Sequence, residues 1–216
     1  MQISNQQTFL FDRGFIDYHS DRFQDFSLMI YKNEKLLALL PANLFDNVLY
    51  SHQGLTYGGL IYHENLKTED FLRVFEAILK FLYNKEIKEL ILKEIPVIYL
   101  KNSSNNPMNY LFFKTKAKLL RTDMHSVVNL DFKSFSSSRK EGIRRGRKNN
   151  LKIRESDNLD SFWHNILIPN LKSKHGVKPV HTLEEITLLK KRFPNSIRQF
   201  NVYYQDKLVG GTTVFE

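Results

Sequence analysis

No cysteine occurs among the 216 residues of this chain. Disulfides, thiolate metal sites and cysteine nucleophiles are therefore excluded, and a reducing compartment fits the composition. No stretch approaches the ~18 apolar residues that span a bilayer. The first residues, Met-Gln-Ile-Ser-Asn-Gln-Gln, lack the basic start and apolar run of a secretory signal. A soluble, cytoplasmic protein is the expectation. Several sequence signatures are also missing. There is no Gly-x-x-x-x-Gly-Lys-Ser/Thr loop and no Gly-x-Gly-x-x-Gly turn. Neither a Gly-x-Ser-x-Gly nucleophile elbow nor a His-Glu-x-x-His helix is found. Acidic residues are in deficit, 23 against 32 Lys and Arg, for a formal charge of +9.

What is present is ample apolar material, 42% hydrophobic and 13% aromatic, enough for a packed core. The charge is uneven. Positions 133, 139, 140, 144, 145, 147, 148, 152 and 154 are all Lys or Arg, and the stretch holds one acid, Glu141. Such a stretch attracts phosphate from a nucleotide, a nucleic acid or an anionic lipid surface; it also reads as a solvated helix face.

One passage occurs twice. Met29-Ile-Tyr-Lys-Asn-Glu-Lys-Leu-Leu-Ala38 returns as Asn201-Val-Tyr-Tyr-Gln-Asp-Lys-Leu-Val-Gly210, an offset of 172 residues that pairs Tyr31 with Tyr203, Lys35 with Lys207 and Leu36 with Leu208. Each copy reads as strand, tight turn and returning strand. The offset is far beyond a solenoid period, so two copies of a whole domain are expected, residues 1–130 and 131–216. The second copy stops at Glu216 within a strand, and the repeat predicts roughly 90 to 110 further residues.

The periodicities predict hairpins over 26–45 and 197–215, and strand, glycine turn and strand over 48–62. Strands are also expected at 87–95, 119–130 and 151–154. Helices are expected from Thr68, over 105–117 and over 136–149, from Asp157 or Asn158 to about 174, and from Thr182 to before Pro194. Helices thus alternate with antiparallel strands, an α+β pattern of mixed, mostly antiparallel sheets with flanking helices.

Three segments carry candidate chemistry. Ser51-His-Gln-Gly-Leu-Thr-Tyr-Gly-Gly59 holds three glycines, which allow either close approach to a ligand or a bulged hairpin turn. The helix at 136–149 has Ile143 as its one large apolar residue and carries Gly142 and Gly146, each costing about 1 kcal/mol relative to alanine. Its arginines suit a phosphate clamp. His175-Gly-Val-Lys-Pro-Val-His181 offers two imidazoles near neutral pH in a connector between helices, at a spacing that matches no common zinc site.

The duplicated Tyr-x-x-(Glu/Asp)-Lys-Leu-(Leu/Val)-(Ala/Gly) hairpin, Thr56-Tyr-Gly-Gly-Leu60 and the run from Ser138 to Ile153 together resemble the FemAB-like branch of the GNAT N-acetyltransferase superfamily. His175 to His181 followed by Thr-Leu-Glu-Glu is similar to a segment of its bacterial members. The resemblance implies two tandem GNAT-like modules, the second apparently truncated. It also implies transfer of an acyl or aminoacyl group from acyl-CoA (acetyl-CoA) or aminoacyl-tRNA to an amine or hydroxyl. The acceptor would be a small molecule or cell-envelope precursor, with no metal. The superfamily's (Gln/Arg)-x-x-Gly-x-(Gly/Ala) donor loop is absent and would fall beyond Glu216. Arg139, Arg144, Arg145 and Lys148 are the expected donor contacts. Tyr57, Gly58 and Gly59 are expected to shape the acceptor groove, and His175 or His181 to act as base. The alternatives are a non-enzymatic nucleic-acid or polyanion-binding module built on 136–149, and a catalytically silent scaffold.

Overall fold

A computed structural model describes Ser4, residues 8–101, 107–128, Asp131 and residues 134–216. It divides the chain into two compact units, Met1–Thr122 and Asp123–Glu216.

Unit 1 opens with short helical turns, among them α1 (Arg13–Ile16), which is started by the Asp12 carboxylate accepting from the Gly14 amide at 2.8 Å. The strands β1 (Gln24–Asp25), β2 (Leu28–Lys32), β3 (Lys35–Leu40), β4 (Asn43–Phe45), β5 (Val48–Tyr50) and β6 (Ile61–Tyr62) follow, then helix α2 (Thr68–Asn84), strand β7 (Glu89–Ile91) and helix α3 (Met108–Thr115). They form two sheets, β1-β4-β5-β7 and β2-β3-β6. All pairings are antiparallel except β5 with β7. The α2 stripe Phe71, Val74, Phe75, Ile78 and Leu82 is buried with Leu40 and Leu49 in one core. Burying one such side chain contributes roughly 1.5–3 kcal/mol, which outweighs the weak propensity of this β-branched and aromatic stretch for helix.

Unit 2 holds α4 (Ser137–Lys148), β8 (Lys152–Ser156), α5 (Asp160–Phe162), a π-helical turn (Trp163–Leu167), α6 (Ile168–His175), α7 (Leu183–Arg192), β9 (Ile197–Tyr204) and β10 (Lys207–Phe215). The strands make one antiparallel sheet in the order β10-β9-β8. Leu159, Phe162, Trp163, Ile186, Leu189 and Ile197 are its buried apolar residues. A capping box starts α7: Thr182 Oγ1 accepts from the Glu185 amide at 3.2 Å, and Glu185 Oε2 accepts from the Thr182 amide at 2.8 Å. The protein is thus α+β with mostly antiparallel sheets.

Four expectations require correction. Residues 48–62 do not form a local hairpin, because β5 joins the four-stranded sheet and β6 the three-stranded one. The strand expected at 87–95 is only Glu89–Ile91. The helix expected from 157 or 158 to 174 is continuous in direction but broken in type. Pro169 lacks the amide an α-helix needs, and the five residues preceding Ile168 widen into the π turn. No strand forms over 119–128. Its apolar side chains are open to solvent, Leu119 at 78% and Met124 at 98%, so alternation there has no sheet face to bury. Residues 129–130, Lys133 and the expected helix start at 105–106 lie outside the described residues.

Candidate functional site

The basic helix α4 is built to end sharply. Asn150 takes the left-handed conformation at φ 54°. The Asn150 amide donates to the Arg147 carbonyl at 3.0 Å, and the Leu151 amide to the Gly146 carbonyl at 3.1 Å. That is the paired bonding of a Schellman stop, with asparagine in the glycine position. At the other end Ser136 makes no side-chain cap. Its hydroxyl pairs instead with that of Ser138 at 3.2 Å.

Between these ends α4 buries no residue. Ile143, its one large apolar side chain, is 44% exposed. The helix carries six cations against Glu141 alone. Arg145, Arg147 and Lys148 lie in the last turn, where the helix dipole favours positive charge. Arg139 and Lys140 lie near the start, where it does not, and the first turn holds no acid. Arg144 is compensated by a two-point contact with Glu141, Nε to Oε2 at 2.9 Å and Nη2 to Oε1 at 3.0 Å. Arg139, Arg145 and Lys148 are exposed and make no ion pair among the described residues.

The two histidines stand in different settings. His175 is the exposed last residue of α6, and Gly176 turns the chain away at φ 66°. His181 is half-buried. Its ring stacks on Phe215, centroids 6.4 Å apart, and its carbonyl accepts from Trp163 Nε1 at 3.4 Å.

Tyr57, Gly58 and Gly59 belong to a tightly held loop of unit 1. Tyr57 is buried between Phe11 and Tyr99, and its hydroxyl meets Thr8 Oγ1 at 2.9 Å. Burial pushes its phenol pKa up, only partly offset by the Thr8 hydrogen bond. At Gly58 a Cβ would stand 1.8 Å from the Ser51 carbonyl oxygen, and Gly59 has φ 90°. The cavity lined by Gly58, Gly59, Lys93, Ile95 and Met108 measures about 20 Å³, room for about one water.

Around that loop lies a polar cluster that joins the Ser51–Gly59 segment to Lys93 and Asn43, two residues no motif marks. The Lys93 ammonium donates to the carbonyls of His52, Gln53 and Leu55 at 3.2, 3.3 and 2.6 Å. The Lys93 amide donates to Ser51 Oγ at 2.7 Å. Buried Asn43 gives and takes with Gln53, both bonds 2.8 Å. His52 is buried with φ 69°, and its Nδ1 accepts from the Gly54 amide at 3.2 Å. Burial lowers the pKa of both His52 and Lys93. The available signal was the glycine-rich run itself; Lys93, 41 positions from His52, is joined to it only by the fold.

In unit 2 the covered face of β9 carries amides. Gln199 Nε2 donates to Asn201 Oδ1 at 2.8 Å, and Thr213 Oγ1 donates to Gln199 Oε1 at 2.7 Å. Gly211 lies against them; a Cβ there would meet Phe162 Cδ2 at 2.7 Å and the Phe200 carbonyl oxygen at 2.8 Å. Among the described residues no three His, Asp or Glu side chains gather as a metal site, and no helix is long and apolar enough to cross a membrane.

Comparison with models of known families finds no match to the chain, and comparison with curated proteins finds none.

Proposed function

We propose that the chain serves acyl transfer, moving an acyl or aminoacyl group from acyl-CoA or aminoacyl-tRNA to an amine or hydroxyl, with a cell-envelope precursor as one acceptor class. The observation that carries this reading is the repeated hairpin. Both copies turn on two consecutive left-handed residues, Asn33-Glu34 and Gln205-Asp206, and both bulge at the same aligned place. The turn recurs at Asp46-Asn47, but that hairpin has no bulge; the aligned bulge is what favours the tandem modules of the resembled superfamily.

In this reading the acceptor nitrogen or oxygen attacks the donor carbonyl. One C–N or C–O bond forms, and the thioester C–S or ribose ester C–O bond breaks. The acceptor's proton passes to a base, with His175 and His181 as candidates, and the leaving sulfur or oxygen takes up a proton. The protein's main contribution would be alignment and charge stabilisation. Arg139, Arg145 and Lys148 would meet donor phosphate. Arg144 would join them once its contact with Glu141 is exchanged.

A second reading is favoured by one observation of its own. α4 buries nothing and sets Arg139 and Lys140 against the unfavourable end of its dipole, which suits a polyanion-binding module without catalysis. Equilibrium binding of acetyl-CoA and of a tRNA, each at low and high salt, separates the two. Saturable acetyl-CoA binding that Arg139→Ala and Arg145→Ala abolish supports transfer. Binding of RNA alone, falling steeply with salt, supports the module. Binding of neither by the folded chain removes both.

A further inference from the structure

The two hairpins differ in what lies beside them. In unit 1 the outer edge of β3 is taken by β6, with Ala38 opposite Tyr62 and Leu39 opposite Ile61. At the offset of the repeat, Ala38 and Leu39 correspond to Gly210 and Gly211 on β10. There β10 pairs with β9 and, among the described residues, with no other strand. The edge is long, nine residues from Lys207 to Phe215. Edges are normally blunted by charge, proline or bulges. Here the lysine and the bulge at Val209 sit close to the turn, and the rest of the strand, Gly-Gly-Thr-Thr-Val-Phe, carries neither charge nor proline.

We infer that the outer edge of β10 at Gly210–Thr213 accepts an extended apolar segment running antiparallel to it, a counterpart of β6 with an Ile-Tyr type of sequence. Backbone hydrogen bonds would provide the affinity, and alternate side chains the choice of partner. The inference shares the repeat with the acyl-transfer reading but needs no acyl donor, so an edge that takes the strand in a chain that binds no acetyl-CoA separates the two.

The test supplies such a strand in cis. Residues 58–66 of the chain are appended after Glu216 through a flexible linker as long as residues 41–60, which join β3 to β6. A control tail carries proline at the positions copied from Ile61 and Tyr62, which cannot complete a ladder. Amide exchange of residues 210–213 is then followed by NMR. At the effective concentration a flexible tether gives, the intact tail should slow their outward-facing amides on the order of tenfold relative to the proline tail. Equal rates in the two tailed chains overturn the inference. Protection already present in the untailed chain, and growing with protein concentration, overturns it in favour of a second copy on this edge.

Discussion

Leu37 and Val209 are the same residue of the same device. In the first hairpin Ile30 faces Ala38 and Tyr31 faces Leu36, leaving Leu37 over. In the second, Val202 faces Gly210 and Tyr203 faces Leu208, leaving Val209 over. The turns agree as well: φ is 48° and 61° at Asn33 and Glu34, and 47° and 59° at Gln205 and Asp206. Positive φ at both central residues matches the right-handed twist of the flanking strands, and the bulge then increases that twist.

These turns make a first prediction. A left-handed backbone costs a side-chain-bearing residue about 1 kcal/mol, less for Asp, whose short polar side chain bonds locally. Glu34→Gly should therefore stabilise unit 1 by about 0.5–1 kcal/mol, and Asp206→Gly should change unit 2 by less. Asp206 also loses an exposed contact with Arg154 at 3.3 Å, worth little on a surface. Urea denaturation measures both; destabilisation by Glu34→Gly would contradict the turn geometry.

The hairpins and the α7 cap were legible because their determinants are local. Turn residues sit between apolar strands, and Thr182 lies three positions before Glu185. The assignment of β5 and β6 to different sheets was not legible, since both strands read alike and only the core chooses their partners. The segment 119–128 misled for a related reason: alternation shows which residues would share a face, not whether a face exists. The clamp of Lys93 on residues 52–55 was invisible for want of any local pattern. The helix at 136–149 is legible in its cap and stop signals, while the fact that none of its residues is fully buried is set by tertiary structure.

Glycines separate packing from propensity. Gly58→Ala places a methyl within 1.8 Å of the Ser51 carbonyl oxygen, and Gly211→Ala places one at 2.7 Å from Phe162. Each should destabilise its unit by roughly 1–3 kcal/mol, Gly58→Ala at the upper end because its obstacle is backbone. Gly142, with nothing within 4 Å of its would-be Cβ, lies on exposed α4. There alanine should stabilise by up to about 1 kcal/mol. Thermal denaturation of the three variants checks the order, and anion binding by Gly142→Ala should be unchanged.

On α4, the Glu141 contact makes the cations unequal. Arg145→Ala should weaken polyanion binding more than Arg144→Ala, because Arg144 already shares its charge with Glu141. Glu141→Gln should strengthen binding, by freeing Arg144 and removing the helix's one acid. For RNA, each lost phosphate contact should lower the slope of log K against log salt by about 0.7. Equal losses for Arg144→Ala and Arg145→Ala would show that the ion pair does not persist in solution.

His52 predicts an acid-sensitive unit 1. Its imidazole is buried, lies edge-on to Phe23 at 5.7 Å, and accepts a backbone hydrogen bond through Nδ1, a role closed to the protonated ring. Burial, the largest influence, holds its pKa below the ordinary 6.5, and the nearby cations Lys93 and Arg13 push the same way against Asp25. The unfolded chain thus takes up this proton more readily than the folded one. The contribution to stability is complete above pH 6.5, declines as pH falls below that value, and levels off beneath the folded pKa. Urea titrations at pH 8 and pH 5 should show lower stability at the acid end. His52→Asn tolerates the left-handed backbone and removes the titrating group, so it should flatten this part of the profile. A profile unchanged by His52→Asn would remove His52 as the cause; Asp25, held low by its pairing with Arg13, cannot stand in for it there, because its contribution is lost only as pH falls below the ordinary 3.8.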